Sequence, residues 1–372
     1  MSQLTQGPIW QISFGDGYAG SAKFALLTTQ YLQNHGCDVA IAVSTNSLTE
    51  KRAGSRGLRT ISLDTSQPDG VVFEKLQTAF TSERPRLIVS HHSLERKLSM
   101  RLKRKFKREF KNVAFRNIVA LSLPLVSAVP YNLWFDYHIA CSKGVARSLR
   151  RIGIRSRKIR TVHNGIEVPD QMPSRQALRP QAGGPDDKRV IGLSTWFHPK
   201  RKGFDILFEG LSAFSSFPYK LLIIGPTQEH HQSILSMAQK YGIPPERLIL
   251  PGYVESVWEY YAAMDVFVLP SRAEGFSLSL LEAMVSGVPV VVSRIPGNDE
   301  VVFDGETGLL FDINRPHELA TRIDQILSDH QLAERLSRAG RLLVQQNFTM
   351  DQIGNKYASV LEEMIAARST PP

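Results

Sequence analysis

The feature that most constrains the fold is an alternation of short apolar runs with helical segments, which occurs twice along the 372 residues. The first series has apolar runs at 9–14, 39–43, 87–90, 117–123 and 137–140. A second series begins at 190–193. Short, wholly apolar runs separated by helices are typical of parallel strands buried on both faces. The sequence therefore predicts an α/β fold of doubly wound parallel sheets.

A segment rich in proline, glycine and glutamine, from 168 to 188, separates the two series. This composition is typical of a connection between domains. We therefore predict one domain over residues 1–178 and a second over 179–348. The last part, 349–372, contains an amphipathic pattern that predicts a helix over 350–367.

Two glutamates, Glu274 and Glu282, flank a glycine turn and a short apolar segment in the second series. The run 265–270 predicts a buried strand, and 278–285 predicts a helix, so Glu274 lies at a strand's carboxyl end. Open α/β sheets bind ligands at this edge, and the unbonded amides that begin the helix attract phosphate. A solvated first turn with a surface glutamate has the same spacing, and this alternative stays open on spacing alone.

The stretch from Glu274 to Glu282 resembles the E-x7-E signature of retaining GT-B glycosyltransferases of family 4 (group 1). The resemblance continues at 286–292 and 307–310 downstream and at 247–254 upstream. It implies two Rossmann-like domains facing a cleft, the first on the acceptor side and the second binding a nucleotide-sugar. It also implies that the C-terminal helix crosses back to the first domain.

The resemblance implies a different role for each of the site residues. Glu274 would bind sugar hydroxyls, Glu282 the ribose, and Lys202 the diphosphate as the sugar leaves. An arginine usually accompanies this lysine, but its position is Phe197 here, so Arg201 is a candidate replacement. The predicted donor-binding residues are Gly20, Lys202, Gly252, Tyr253, Val254, Glu274, Gly275, Phe276, Ser277, Leu278 and Glu282.

Two features of the first series resemble the family's acceptor side. Gly20 is the one residue of 19–23 that matches the family's glycine loop, and a simple turn is the alternative. His91, after the apolar run 87–90, matches a family histidine and joins Lys202, Glu274 and Arg201 as a catalytic candidate. A hydrogen-bonded structural histidine is the alternative there. A further family histidine is missing from 119–124.

Asn164 and Gly165 belong to a run similar to the family's P-N-G-I-D motif. Asn-Gly pairs are common where a turn needs positive φ angles. We therefore interpret this pair as a turn that closes a strand and takes no part in chemistry.

Positive charge is concentrated in the first domain of a chain whose net charge is +10. Residues 95–111 include nine Lys and Arg residues and two glutamates, and residues 147–160 include seven more Lys and Arg residues and no acid. Apolar residues recur every fourth position at Leu98, Leu102, Phe106 and Phe110. Such a helix suits an anionic membrane surface, or its stripe packs on the sheet while the cations face water. The predicted membrane or acceptor patch is Arg101, Lys103, Arg104, Lys105, Lys107 and Arg108.

Other classes of function are less well supported by the sequence. No apolar run reaches the ~18 residues of a membrane span, and the first eleven residues lack signal-peptide organisation. Two cysteines provide neither a disulfide framework nor a metal site. No D-x-D motif is present to bridge a metal to a diphosphate, and no aromatic residues are interleaved with the cations for base stacking. We therefore expect no metal, no cofactor and no nucleic-acid partner.

The expected protein is a metal-independent retaining transferase that moves a hexose-type sugar from a UDP- or GDP-linked donor. Its acceptor would be a saccharide or a lipid-linked molecule of cell-envelope polysaccharide or lipopolysaccharide synthesis. It would be cytoplasmic, with peripheral association at the inner face of the cytoplasmic membrane. The alternatives are a GT-B epimerase or phosphorylase, and a catalytically silent basic protein that binds membrane or nucleic acid.

Overall fold

The structure is a computed structural model that describes residues 4–15, 20–118, 128–174, 179, 188–212 and 214–367. The chain folds into two compact units. Unit 1 comprises Met1–Glu167 with Thr349–Pro372, and unit 2 comprises Val168–Phe348. The first division between the units thus falls before Val168, at the start of the segment that the sequence marks as a connection.

Unit 1 contains one parallel sheet of seven strands in the order β3-β2-β1-β4-β5-β6-β7. The strands are β1 (Ile9–Ile12), β2 (Val39–Ser44), β3 (Thr60–Leu63), β4 (Leu87–Ser90), β5 (Lys111–Arg116), β6 (Tyr137–Ala140) and β7 (Ile159–Thr161). The helices between them are α1 (Gly20–Asn34), α2 (Leu48–Ser55), α3 (Asp69–Glu83), α4 (Ser93–Phe106), α5 (Ala128–Trp134) and α6 (Lys143–Arg151).

Unit 2 contains a second parallel sheet of six strands in the order β10-β9-β8-β11-β12-β13. The strands are β8 (Arg189–Ser194), β9 (Tyr219–Ile224), β10 (Leu248–Gly252), β11 (Val266–Leu269), β12 (Val290–Ser293) and β13 (Leu309–Phe311). The helices are α7 (Pro199–Lys202), α8 (Phe204–Ser212), α9 (Gln228–Lys240), α10 (Trp258–Ala262), α11 (Leu278–Val285), α12 (Pro316–Ser328) and α13 (His330–Asn347). The chain then returns to unit 1 as α14 (Met350–Ala366), which packs on α1.

Both sheets confirm the predicted doubly wound α/β architecture, because the strand order reverses once in each. Unit 1 reverses between β1 and β4, and unit 2 between β8 and β11. Neighbouring crossovers leave such a point on opposite faces of the sheet, which opens a crevice at the carboxyl ends of the strands. The loops that follow these four strands therefore form the candidate ligand-binding edges.

The predicted strand over 117–123 is wrong for residues 117 and 118. The strand at this place in the chain is β5, Lys111–Arg116, and residues 119–123 lie outside the described part of the chain. Only Val113, Ala114 and Phe115 form the apolar centre of β5, since polar residues occupy both of its ends. Because its ends are polar, a search for continuous apolar runs does not find this short strand, whose four central residues are buried.

The apolar stripe on the basic segment packs against the sheet. Leu98 and Leu102 are fully buried in a core cluster with Trp10 and Ile88, and Phe106 packs against the same cluster. Helix α4 ends at Phe106, because Lys107 has φ +24°, so Phe110 follows a turn and is buried in the same cluster. The interpretation that places this stripe in a membrane is therefore wrong.

Gly165 has a different role from the one predicted. Neither Asn164 nor Gly165 has a positive φ angle. A Cβ atom on Gly165 would lie 2.8 Å from Cβ of Ile353 in α14. The glycine is therefore required for close packing of the C-terminal helix within unit 1, and the predicted positive backbone angles are wrong.

Candidate functional site

The candidate site of unit 2 is built around an ion pair between Lys202 and Glu274. Lys202 ends α7, in the loop after β8, and Glu274 lies in the loop after β11. Their side chains meet at the strand-order reversal, with Lys202 Nζ 2.7 Å from Glu274 Oε1. Both side chains are less than one tenth exposed, at 9% and 7%. Residues that the sequence predicts as catalytic are thus brought into direct contact.

Gly203 explains how the two loops approach so closely. It caps α7 with φ +68°, and a Cβ atom at this position would lie 2.0 Å from the carbonyl oxygen of Pro270. Only glycine has both the left-handed conformation and the missing side chain that this approach needs. The Lys-Gly pair therefore places the lysine beside the β11 loop.

Glu274 is fixed by a chain of hydrogen bonds beneath it. Ser271 Oγ donates to Glu274 Oε1 at 2.6 Å, and Ser293 Oγ donates to the Ser271 carbonyl oxygen at 2.6 Å. Asn298 Nδ2 donates to the carbonyl oxygen of Ser293 at 3.0 Å. These contacts join the segments after β11 and β12 and fix the orientation of the Glu274 carboxylate.

Arg272 lies in the same loop and bonds to residues on both sides of Lys202. Its guanidinium donates to both carboxylate oxygens of Asp205 at 2.7 Å and to the Lys200 carbonyl oxygen at 2.8 Å. Arg201, the predicted replacement for the missing arginine, lies in α7 with its guanidinium 5.7 Å from the ring centroid of Trp196. Its Nε donates to the Ala273 carbonyl oxygen at 3.4 Å. The position of the missing arginine, Phe197, instead packs on His230 with ring centroids 4.6 Å apart.

Helix α11 occupies the predicted residues and begins beside Glu274. Ser277 is its N-cap, and Ser277 Oγ accepts a long hydrogen bond of 3.4 Å from the Leu280 amide. The first amides of any α-helix have no partner within the helix and carry partial positive charge. This helix start therefore adds anion-binding groups next to Lys202.

Glu282 is 5% exposed and lies in the second turn of α11. The Tyr261 hydroxyl donates to Glu282 Oε2 at 3.0 Å. Burial, and then the neighbouring Glu282 charge, hold the pKa of Tyr261 well above its usual value, so the phenol stays a donor. The two glutamates thus have separate hydrogen-bond partners within unit 2.

The remaining donor-binding candidates of unit 2 lie around the same edge. Gly252 ends β10 with φ +81°, and its carbonyl oxygen accepts from the Gly225 amide at 2.8 Å. Tyr253 and Val254 follow it directly. Phe276 is buried against Phe348 with ring centroids 5.3 Å apart. The carbonyl oxygen of Gly275 lies only 2.6 Å from where a Cβ on Gly297 would be placed.

In unit 1, His91 follows β4 and is 2% exposed. Its Nε2 lies 2.8 Å from Oε1 of Gln11, and its ring stacks on Phe115 at 5.2 Å. Burial, followed by the nearby His92 and Arg96 charges, lowers the pKa of His91 well below its usual value. The ring is therefore neutral. The amide of Gln11 bonds in turn to the Tyr357 hydroxyl of α14 at 2.8 Å.

Gly20 is exposed as the first residue of α1. The neighbouring residues 16–19, which include most of the predicted glycine loop, lie outside the described residues. Ser21 Oγ lies 3.2 Å from His92 Nε2, so the start of α1 contacts the residue after His91.

The predicted basic patch divides into engaged and exposed residues. Lys103 is 9% exposed, pairs with Asp136 at 2.8 Å and donates to the Phe110 carbonyl oxygen, so it is wrong to count it as a surface cation. Arg101 lies over the Phe73 ring at 3.9 Å. The patch members on the exposed surface are Arg104, Lys105, Lys107 and Arg108.

Sequence reasoning missed three residues that shape the site, which are Ser271, Tyr261 and Arg272. Ser271 and Arg272 lie inside the motif region but match no charge or spacing pattern that would mark them. Tyr261 lies on a short helix, 21 residues from its partner Glu282. The signal available for Tyr261 was that a buried tyrosine usually needs a hydrogen-bond partner for its hydroxyl.

Two doubly wound, Rossmann-like units, with a buried Lys-Glu pair at the carboxyl edge of the second, are the features to compare with known proteins. Comparison with known sequences identifies the family. The family model for glycosyl transferases group 1 matches residues 174–343, and that for glycosyltransferase family 4 matches residues 18–169. Together the two matches cover most of the chain. The chain therefore belongs to the family 4 (group 1) glycosyltransferases.

Several relatives are similar to this protein over about half of the chain. The O-antigen biosynthesis glycosyltransferase WclY of Escherichia coli is 31% identical over 211 residues, which cover 56% of this chain and 57% of that protein. The lipopolysaccharide core biosynthesis glycosyltransferase LpsE of Rhizobium meliloti is 30% identical over 177 residues, 48% of this chain and 51% of that protein. The chain thus spans just over half the length of these curated relatives.

Solved structures support the fold over nearly the whole chain. The crystal structure of Anabaena HepE in complex with UDP and glucose superposes with a TM-score of 0.84. The superposition covers 96% of this chain and all of that one, at 19% sequence identity. At this identity the likeness establishes the fold alone. Within the part of the chain that the structure describes, no helix has the length and apolar character to span a membrane.

Proposed function

We propose that the protein is a retaining glycosyltransferase that moves a hexose-type sugar from a UDP- or GDP-linked donor to a saccharide or lipid-linked acceptor. The observation that carries this proposal is the buried Lys202–Glu274 pair at the strand-order reversal of unit 2, beside the start of α11. A diphosphate supplies the oxygen acceptors that such a lysine and such helix amides bind. Sugar hydroxyls supply donors for Glu274.

Each residue then has one task in the reaction. The bond between the sugar's anomeric carbon and the diphosphate oxygen breaks, and Lys202 with the α11 amides stabilises the charge that develops on that oxygen. The acceptor hydroxyl bonds to the same face of the anomeric carbon, and its proton passes to the departing diphosphate. Glu274 orients the sugar, and Glu282 binds the ribose. Arg201 adds positive charge to the loop that holds Lys202.

The names of the relatives support an assignment to one kind of pathway. WclY is named for O-antigen biosynthesis and LpsE for lipopolysaccharide core biosynthesis, and the superposed HepE structure contains UDP and glucose. These names support cell-envelope polysaccharide or lipopolysaccharide synthesis and a UDP-linked hexose as the first donor to try. The absence of a D-x-D motif from the sequence supports transfer without a metal.

A donor panel tests the proposal. Thermal protection and slow hydrolysis are measured for UDP-, GDP- and ADP-linked sugars with the wild-type protein. We expect one donor to respond, and the response to disappear in Glu274→Ala and Lys202→Ala. Lys200→Ala changes an exposed cation of the same short helix and should respond like the wild type. A flat panel, or equal responses in all three variants, would contradict the assignment.

We also propose that unit 1 docks on an anionic membrane through exposed charges and the surface of α5. Val129 and Leu133, one turn apart on α5, are 58% and 60% exposed. The guanidinium of Arg104 lies 5.8 Å from the ring centroid of Trp134 on the same helix. Exposed apolar residues beside clustered cations suit the interface of a bilayer with anionic lipid.

Liposome co-sedimentation separates this surface from a merely solvated one. We expect binding that requires anionic lipid and falls with salt. It should be lost when Arg104, Lys105, Lys107 and Arg108 become Gln, and weakened in Leu133→Ser. A control with the same charge change in unit 2 replaces Lys240, Arg315, Arg335 and Arg338 by Gln. Equal binding to neutral liposomes, or equal loss in the control, would contradict the docking proposal.

A further inference from the structure

The carboxyl edge of unit 1 contains two arginines that are not paired with a carboxylate. Arg96 lies in the first turn of α4, and Arg116 is the last residue of β5. Strands β4 and β5 are neighbours, with Ser90 opposite Ala114, so both arginines lie at one end of the sheet. Among the described residues, neither arginine forms an ion pair.

The local contacts of these arginines leave donors unused. Arg96 donates through Nη1 to the His91 carbonyl oxygen at 3.0 Å and through Nη2 to Ser93 Oγ at 3.2 Å. Arg116 lies over the Tyr131 ring at 5.1 Å. Arg96 Nε and Arg116 Nη1 are both buried without a hydrogen-bond partner. The side-chain amide of the next residue, Asn117, has no partner on either its nitrogen or its oxygen.

This arrangement is costly unless a ligand completes it. Burial, and then repulsion from Arg96, lower the pKa of Arg116. A buried cation without a partner destabilises a fold, and so does each buried donor without an acceptor. Arginine is the side chain whose planar fork best matches the two oxygens of a phosphate or carboxylate. Asn117 adds one donor for the same anion and one acceptor for an adjacent hydroxyl.

We infer that Arg96, Arg116 and Asn117 form a binding site for an anionic group, a phosphate or a carboxylate, carried by the acceptor. This inference rests on the proposed function, in which Lys202 and the start of α11 already bind the donor's diphosphate in unit 2. The charges of unit 1 then select the acceptor. A neutral saccharide would leave both arginines without an anion.

Anion binding by the full-length chain tests the site without turnover. The melting temperature is measured with inorganic phosphate and with malonate, each against sodium chloride at equal ionic strength. Saturating UDP is present throughout, so that unit 2 is occupied. We expect an anion-specific rise in melting temperature in the wild type and in Arg150→Gln, an exposed cation of α6. The rise should be lost in both Arg96→Gln and Arg116→Gln. Phosphate and malonate distinguish the two candidate groups.

The outcomes separate this site from the donor site. A rise that persists in Arg116→Gln but disappears in Lys202→Ala would place the anion in unit 2 and overturn the inference. No rise with either anion would also overturn it. Failure of UDP to protect the protein would count against the proposed function, while the phosphate result could still be read.

A structural role for Arg116 predicts a different result. Arg116→Gln removes a partly buried charge that has no carboxylate partner among the described residues, so its melting temperature without added anion should not fall. Should this variant fail to fold, Arg116→Lys retains the charge but loses the fork, and we expect a smaller phosphate-specific rise. Two outcomes would contradict anion binding. One is a phosphate-specific rise in Arg116→Lys as large as in the wild type. The other is a lower melting temperature in Arg116→Gln that added phosphate does not raise.

Discussion

The carboxyl edges of the two sheets share a strand order but differ in how their charges are balanced. In unit 2 a cation and a carboxylate meet in a buried pair, Lys202–Glu274, with a second donor from Ser271. In unit 1 Arg96 and Arg116 lie near each other with donors unused. The buried lysine of one edge has a carboxylate partner, whereas the two arginines of the other have none among the described residues.

This difference indicates that the strand order determines where a ligand binds, whereas the side chains at that edge determine which ligand binds. A diphosphate-sugar brings acceptors for Lys202 and donors for Glu274, so it can replace both partners of the pair. An anionic acceptor group brings acceptors, which suits the unused arginine donors of the other edge. The two edges should therefore respond in opposite ways when a cation is removed.

The largest effect is expected for Lys202→Met. It removes the charge that stabilises the leaving diphosphate, and we expect kcat/KM to fall by about 10²–10³-fold. It also leaves Glu274 as a buried carboxylate without its cation, which destabilises by about 3–5 kcal/mol. Transfer kinetics with the donor found in the panel and urea unfolding measure the two effects. Lys200→Met, with an exposed side chain, is the control. An unchanged unfolding free energy in Lys202→Met would show that Lys202 does not compensate the buried charge of Glu274.

Arg179→Ala tests a buried pair of unit 2 that lies away from the carboxyl edge. Arg179 Nη1 is 2.8 Å from Asp265 Oδ2, just before β11, and also donates to the Ala263 carbonyl oxygen at 2.6 Å. Both side chains are less than one tenth exposed. We expect a loss of about 3–5 kcal/mol in unfolding free energy. Donor binding by the folded protein should be unchanged, since this pair does not reach the ligand edge.

The control for this variant is Arg338→Ala, which removes an exposed arginine of unit 2. Such a surface change should stay within about 0.5 kcal/mol. A donor-binding loss in Arg179→Ala at a temperature where it is folded would contradict the division between a structural pair and a ligand-binding pair.

Acid should destabilise unit 1 through its buried histidines. Burial, and then the Arg116 charge, lower the pKa of His138 on β6 to about 3 from an ordinary value of 6.5. The unfolded chain therefore binds more protons between these values, so stability is complete above pH 6.5 and falls as pH drops toward 3. Each pH unit in that window costs about 1.4 kcal/mol for one such group.

Urea unfolding at pH 7 and pH 5 measures this dependence in the wild type and in His138→Gln. We expect the pH-dependent loss to be smaller in the variant by about 1–2 kcal/mol. His317, on α12 of unit 2, provides a control as His317→Gln, which should follow the wild type. An identical pH dependence in all three proteins would exclude His138 as the source.

The sequence predicted most of the fold because buried parallel strands are runs of apolar residues. Helix α11 and strands β4 and β6 begin and end where the pattern placed them. The prediction from apolar runs failed at β5, because this strand has only three apolar residues and begins and ends with Lys111 and Arg116. Gly165 was misassigned because its reason is a contact with Ile353, far along the chain.

The candidate site was predictable where a local motif carries it. Glu274, Lys202 and Glu282 were found by spacing and resemblance, but their partners were not. Tyr261 and Ser271 act through contacts that exist only after folding. Arg96 and Arg116 were counted as surface charge or passed over, since a sequence shows how many cations there are and not which ones lack a partner.

The smallest expected effects come from the helix caps near the two edges. Ser142 Oγ accepts from the Val145 amide at 3.0 Å at the start of α6, and Ser142 is fully buried. Ser277 Oγ makes the corresponding bond to Leu280 at 3.4 Å and also lies 3.0 Å from Ser279 Oγ. Removing a good cap costs about 1 kcal/mol, and a long one should cost less. We therefore expect Ser142→Ala to lower unfolding free energy by about 1 kcal/mol and Ser277→Ala by about half of that.

Donor binding should show the reverse order. Ser277 begins the helix that we propose to bind the diphosphate, so Ser277→Ala should weaken thermal protection by UDP, whereas Ser142→Ala should leave it unchanged. Calorimetric UDP titration of both variants, at a temperature where both are folded, makes the comparison. If Ser142→Ala weakened UDP binding as much as Ser277→Ala, the two caps would have equivalent roles. The distinction between a helix start that stabilises unit 1 and one that binds ligand in unit 2 would then be lost.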